Sequence, residues 1–217
     1  MAKRRRVGNL LALAMLAILE PGLPMHPYQM ASVLRRTGKD ADMQIKWGSL
    51  YTVVQNLEKH GFIEVASSDR AGRRPERTAY RITAAGGEEL RDWLRELIAE
   101  PEPEHPRFEA ALSVMAVLGP DEVRSLLERR VRALEESVTA ERTALVDVAK
   151  TVPRLFLIEA EHALAMREAE AAWVRGLVDE LADGTMSGLD QWRETHRTGR
   201  VNPEWAQMLL EGEGSPE

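Results

Sequence analysis

The chain of 217 residues contains no cysteine. Disulfide frameworks and thiolate zinc sites are therefore excluded, and a reducing cytoplasm is the expected location. No apolar run approaches the roughly 20 residues that a membrane span needs. Met1 to Glu20 has a basic start and an apolar stretch, as a signal peptide does. Pro21-Gly22-Leu23-Pro24 lacks a small-residue cleavage pattern, so the stretch is expected to stay in place as a buried helix. There is no nucleophile elbow, no phosphate-cradling glycine loop and no zinc pattern, so neither an enzyme nor a cofactor site is expected. No internal repeat is present.

The net charge of −6 argues, taken alone, against a nucleic-acid partner. Its distribution argues the other way. Residues 1–97 hold 16 Lys+Arg against 11 Asp+Glu, and residues 98–217 hold 13 against 24. A basic half joined to an acidic half suggests a nucleic-acid face and a second job elsewhere.

The basic half centres on Trp47 to Ile63, WGSLYTVVQNLEKHGFI. Leu50, Val53, Val54 and Leu57 recur at helical spacing and form one apolar stripe. Ser49, Thr52, Gln55, Asn56 and Lys59 occupy the other face, and Gly61 supplies a left-handed stop. A packed back with a polar, weakly basic front suits a helix that reads base edges in a major groove. An ordinary solvated amphipathic helix has the same pattern, and the neighbours decide between the two. Upstream, Leu10 to Glu20, capped by Asn9, reads as a buried helix, and Pro27 to Arg36 as a second one. Met43 to Lys46 has the look of a short strand. Lys3-Arg4-Arg5-Arg6 is a basic arm, either disordered or laid on phosphates and a minor groove. Downstream, Phe62-Ile63-Glu64-Val65 and Ala79-Tyr80-Arg81-Ile82-Thr83 alternate as half-buried strands do. The loop Ser67 to Arg77 between them carries Arg70, Arg73, Arg74 and Arg77, a basic hairpin tip suited to backbone contact. Three helices and a basic hairpin make a winged helix-turn-helix.

Several dispersed pieces of this half resemble the PadR family of bacterial transcriptional regulators. They are Leu16-Ala17-Ile18-Leu19 with Met25-His26-Pro27-Tyr28, Gly48-Ser49-Leu50-Tyr51, Asn56-Leu57-Glu58 and Gly61-Phe62-Ile63. Gly72-Arg73-Arg74-Pro75, Tyr80-Arg81-Ile82-Thr83, and Gly86 through Trp93-Leu94 follow in order. Two positions depart from the family pattern: Pro27 stands where a glycine is usual, and Thr52 where a proline is common. The resemblance implies a homodimeric regulator, usually a repressor, that binds a palindromic operator on double-stranded DNA and pairs through its C-terminal helices. It also implies a small-molecule or partner effector of unknown identity.

Residues 1–100 are thus expected to form the DNA-binding domain, and 101–217 a helical dimerisation and effector domain with a disordered tail from about 211. Glu88 to Ala99 reads as a helix leading out of the wing. Pro101-Glu102-Pro103-Glu104-His105-Pro106 is a stiff linker. Phe108 to Leu118 reads as a short helix and Asp121 as the cap of a long one reaching about Lys150. Leu127, Val131, Leu134, Val138, Glu141, Leu145 and Val148 step alternately by four and three, a coiled-coil seam. After Pro153, Arg154 to Leu181 is apolar over a wide arc through Leu155, Phe156, Ile158, Ala165, Met166 and Trp173, so its own domain and a second chain are expected to cover it. Leu127, Val131, Leu134, Val138, Leu155, Ile158, Ala165 and Trp173 are the expected dimer contacts. A short segment from Leu189 to His196 and a last helix from Asn202-Pro203 complete the chain.

Two rival readings remain at the level of sequence. In one, the winged helix is a protein-contact adaptor that never meets DNA. In the other, Glu159 and His162 belong to a metal-dependent bundle. Bundles of that kind need further inward glutamates that the chain does not offer in a second motif, so no metal site is expected. Trp93, Trp173, Trp192 and Trp205 suit an effector pocket and suit core packing equally well.

Overall fold

The computed structural model describes residues 5–38, 47–69, 77–101 and 103–200, with the side chains of residues 68, 69 and 77 outside the description. The expected strand at Met43 to Lys46, the hairpin tip and the last helix fall outside these ranges. The fold is mainly helical with one small antiparallel sheet, and it divides into two compact units, Met1–Glu104 and His105–Glu217.

In the first unit, α1 (Leu10–Leu19) is the central element. It is apolar on nearly every side, and Leu11, Met15, Leu16 and Leu19 are almost fully buried. The Asn9 carboxamide caps it by accepting from the Leu11 N–H at 2.8 Å. α2 (Pro27–Arg36) begins with a proline whose missing N–H costs nothing in a first turn. The Gln29 side chain reaches back to accept from the His26 N–H at 2.8 Å. A 3-10 turn, Trp47–Ser49, leads into α3 (Leu50–Lys59). β1 (Ile63–Asp69) and β2 (Arg77–Ile82) pair antiparallel with Ile63 opposite Ile82, and a bulge lies between Val65 and Ser67. Both strands run further into the expected loop than alternation suggested. Met25 pairs with Tyr80 from outside, with both backbone hydrogen bonds at 2.9 Å.

α4 (Ala84–Ala99) starts four residues before the expected Glu88. Two glycines in a row read as a break; here they lie in the first turn. Thr83 accepts from the Gly86 N–H at 3.0 Å and its hydroxyl donates to the Gly61 carbonyl at 2.6 Å. A Cβ on Gly86 would stand 2.0 Å from the Phe62 carbonyl oxygen, so glycine is what lets the helix lie against the β1 entrance. Leu90 and Trp93 close the core, while Ile98 is exposed.

The second unit opens with α5 (Arg107–Leu112) and a 3-10 turn, Met115–Val117, where one continuous helix to Leu118 was expected. α6 (Pro120–Val148) follows. Its cap position is Gly119 rather than Asp121; Pro120 takes the first turn, and Asp121 sits inside it, where a carboxylate still favours the helix dipole. A 3-10 turn, Arg154–Phe156, precedes α7 (Ile158–Asp183), and α8 (Leu189–Thr198) closes the described chain. α6 and α7 form an antiparallel hairpin. Val123, Leu127 and Val138 of α6 are buried there, with Leu164, Ala171, Val174 and Leu181 of α7. This corrects the assignment of Leu127 and Val138 to a seam between chains, since the protomer's own α7 covers that side. Val131 and Leu134 are half-buried on the same side of α6. Trp192 of α8 anchors the base of the hairpin, its indole N–H donating to the Leu118 carbonyl at 2.9 Å.

Candidate nucleic-acid interface

The apolar stripe of α3 is taken up by the first core: Leu50, Val53, Val54 and Leu57 are each under a tenth exposed. Their burial fixes the rotation of the helix and leaves Thr52, Gln55, Asn56 and Lys59 exposed along the opposite side. Ser49 ends the 3-10 turn and is half-buried. Tyr51 is 66% exposed on the shoulder of this face, open to solvent rather than packed beneath the wing. Gly61, at φ 71°, stops the helix and turns the chain into β1.

Two contacts that sequence reasoning missed hold α3 in place. The Arg35 guanidinium at the end of α2 lies 4.3 Å from the centre of the Trp47 ring. That stack ties the end of one helix to the turn that begins the next. Glu58, on the far side of α3, accepts from the Tyr80 hydroxyl at 3.5 Å, a long hydrogen bond between helix and wing. Burial, and after it the Glu58 charge, raise the Tyr80 phenol above its ordinary value.

The wing's expected phosphate contacts are placed only in part. Arg70, Arg73 and Arg74 lie outside the described residues. Arg77 begins β2 opposite Asp69 in the register. Arg81 is engaged by Glu64 at 2.7 Å.

The basic arm is corrected at one position. Arg5 points inward, with a side chain only 5% exposed, and donates to Glu89 at 2.7 Å, to Asp92 at 3.3 Å and to Glu96. Its guanidinium also lies 5.4 Å from the Trp93 ring. Burial works against its charge, and the hydrogen bonds it donates to Glu89 and Glu96, with their negative charges, more than offset that, so its pKa is raised. The sequence held the signal, because Glu89, Asp92 and Glu96 are spaced by three and four and so share one helix face. Arg6 is exposed, and Lys3 and Arg4 lie outside the described residues.

Of the four tryptophans considered for a pocket, Trp93 and Trp192 are core, and Trp205 lies outside the described residues. Trp173 is half-exposed and meets Phe108 edge-on at 6.5 Å. The apolar groove of this unit is lined by Phe108, Val114, Met115, Val117, Leu118 and Leu126, with a volume of about 410 Å³. His162 is exposed on α7. Among the described residues no cluster of three or more candidate metal ligands occurs, and no helix is long and apolar enough to cross a membrane.

The sequence profile of the transcriptional regulator PadR-like family matches residues 15–92. No curated protein matches the sequence. Solved structures do share the fold. PadR of Bacillus subtilis in complex with operator DNA superimposes with a TM-score of 0.62 at 18% identity, covering 79% of this chain and 99% of that one. The same protein in complex with p-coumaric acid gives 0.64 at 17%, covering 80% and 99%. The Vibrio cholerae virulence activator AphA gives 0.53 at 18%, covering 80% and 98%.

Proposed function

From a chain whose residues 15–92 are a PadR-like transcriptional-regulator domain, we propose a homodimeric repressor that binds a palindromic operator and is released by an effector. The observation that carries this reading is the division of α3, with one side sealed in the core and Thr52, Gln55, Asn56 and Lys59 presented on the other. In this reading Gln55 and Asn56 pair with base edges, Ser49 and Thr52 add hydroxyls, and Lys59 and Tyr51 meet the backbone. Arg70, Arg73, Arg74 and Arg77 clamp phosphates from the wing. Pairing of the acidic helical halves sets two copies of α3 about one DNA turn apart, roughly 34 Å. Leu155, Ile158, Ala165 and Trp173 are exposed on the single chain and available for that pairing. The two DNA and ligand complexes among the structural neighbours support this division of labour. The groove beside Phe108 and Leu126 has the size of a small-ligand site and suits an apolar effector. Occupation of it would favour the non-binding member of a two-state pair.

Selecting bound fragments from genomic DNA, followed by gel shifts at several salt concentrations, tests the reading. The expected result is a two-fold symmetric site bound with a strong salt dependence; salt-insensitive or absent binding leaves the adaptor reading in its place. Arg73→Ala combined with Arg74→Ala should weaken binding to every sequence and reduce the slope of log affinity against log salt by about two, one unit per lost phosphate contact. An unchanged slope removes the wing from the mechanism. Gln55→Ala should instead cost roughly 1 to 3 kcal/mol against the preferred site and almost nothing against random DNA. Equal losses on both would show that Gln55 reads no base.

A further inference from the structure

The short helix α5, the turn after it and the first part of α6 leave one groove open in the second unit. Phe108, Val114, Met115, Val117, Leu118 and Leu126 line it, and none of its lining side chains is charged. Val114 and Val117 are exposed at 63% and 81%. The volume of about 410 Å³ lies in the range of apolar binding sites. An open apolar surface of this kind calls for an occupant.

One wall of the groove also fixes where the chain leaves α8. The Trp192 indole N–H is shared between the Ala116 and Leu118 carbonyls at 3.2 and 2.9 Å. One turn further on, the His196 ring packs on Gly119, where a Cβ would stand 2.7 Å from Nε2. α8 therefore ends against residues 116–119, and Met115, Val117 and Leu118 of the same stretch face the groove. Gly199, at φ 67°, closes α8 with a left-handed turn. Arg200-Val201-Asn202 and then Pro203-Glu204-Trp205-Ala206-Gln207-Met208-Leu209-Leu210 come next. Residues 201–217 lie outside the described ranges, and it is their sequence that points to a role. Asn202-Pro203 is a cap and first-turn pair, and Trp205, Met208 and Leu209 recur at helical spacing. Glu204, Gln207 and Glu211 fall together on another side of the same period. A helix this short is marginal in water by itself and depends on a surface to pack against.

We propose that residues 203–210 of this chain form an amphipathic helix seated in the groove beside α5, with Trp205, Met208 and Leu209 turned into it. An uncharged apolar lining meets one indole, one thioether and one aliphatic side chain, while the glutamates stay in water. The helix extends about 12 Å at 1.5 Å per residue. Arg200, Val201 and Asn202 span at most about 10 Å between it and the end of α8. So short a tether holds the segment at an effective concentration on the order of millimolar, which favours the chain's own segment over a separate partner. The groove then has a resident cover, and a small apolar ligand enters by displacing it. That competition rests on the effector reading above; the seating of the segment does not.

Two measurements on the full-length chain test this. The apolar dye anilinonaphthalene sulfonate is titrated against the unmodified chain and against Trp205→Glu, with thermal melts confirming that the variant folds. A groove covered about nine-tenths of the time binds about tenfold more weakly than an open one, so the variant should bind the dye about tenfold more tightly. Equal affinities overturn the proposal. The absence of native cysteine permits the second measurement. Val117→Cys combined with Met208→Cys is treated with a short bismaleimide, which joins neighbouring thiols without the strict geometry of a disulfide. The expected result is a link within one chain that is lost when Trp205→Glu is added. A link that survives Trp205→Glu reflects the tether alone and overturns the seating, as does the absence of any link. A covalent dimer assigns the groove to the segment of a second copy and overturns the own-chain arrangement. A link that forms equally well under saturating dye leaves the segment seated and removes the small-ligand competition, so the two readings fail separately.

Discussion

Replacing Gly86 with alanine is expected to unfold the first unit at temperatures where the unmodified chain is folded. The added Cβ would stand 2.0 Å from the Phe62 carbonyl oxygen and 2.9 Å from both its carbon and Ile82 Cγ1. Those obstacles are not the free ends of side chains. The Phe62 carbonyl accepts from the Thr83 N–H at 3.0 Å, and the Phe62 N–H donates to the Leu57 carbonyl at 2.9 Å. Relief of the clash therefore requires α4 to lift from the β1 entrance, breaking the Thr83 cap and opening the core at Leu90 and Trp93. Overpacking costs about 1 to 3 kcal/mol where the surroundings give, and more where they are backbone. Against a domain stability of roughly 5 to 15 kcal/mol, a loss of about 3 or more lowers Tm by about 12 to 24 °C for a unit of this size. Gly87→Ala is the internal control. Its nearest neighbours are the Arg91 and Glu20 side-chain ends at 3.3 and 3.4 Å, which can swing aside. Thermal melts should separate the two variants sharply, and equal Tm values would mean that the α4 contact is looser than described.

Arg5→Ala is expected to cost about 1.5 to 3 kcal/mol, the range for hydrogen bonds to charged groups, since the cluster is half-buried. The guanidinium is 5% exposed, and the Glu89 and Glu96 side chains are 19% and 15% exposed. Taking the arginine away leaves three carboxylates on one face of α4 with their common counter-charge missing. It also removes the cation over Trp93. Arg5→Lys keeps the charge but cannot fork between Glu89 and Glu96, so part of the loss should remain. Chemical denaturation followed through tryptophan emission measures the effect. A change below about 1 kcal/mol would reduce the cluster to an ordinary surface ion pair.

The Arg5 result also bears on what the sequence disclosed. Four consecutive basic residues looked like a phosphate-seeking arm, because charge runs are usually read by sign alone. The partner signal lay more than eighty residues away in the spacing of three acids, and only tertiary structure joins the two. Local patterns performed well where one element decides its own state. α2 has the expected bounds Pro27 to Arg36, set by a first-turn proline and by Gly38 beyond its end. The rotation of α3 follows from its apolar stripe, so the exposure of Thr52, Gln55, Asn56 and Lys59 was legible before any coordinates. The start of α4 was not, since Gly86-Gly87 has low helix propensity and is kept by a close backbone approach that no local rule registers. The four-three spacing of α6 found the correct packing face and the wrong neighbour. A seam pattern states that a helix is covered, and a second helix of the same chain satisfies it as well as a second chain does.

The hairpin of the second unit carries four crossing pairs: Arg130 with Glu170, Arg142 with Glu168, Arg167 with Glu141 and Arg175 with Glu135. Two of the arginines stand on each helix. Each pair lies near the surface and contributes little energy by itself. Together they act as wards on a key. If α7 slid by one turn, about 5.4 Å, every one of the four would lose its mate at once, and no alternative alignment restores them all. A slide of one helix past the other therefore sacrifices all four pairs together, so the crossing charges favour the single register in which the hairpin is built.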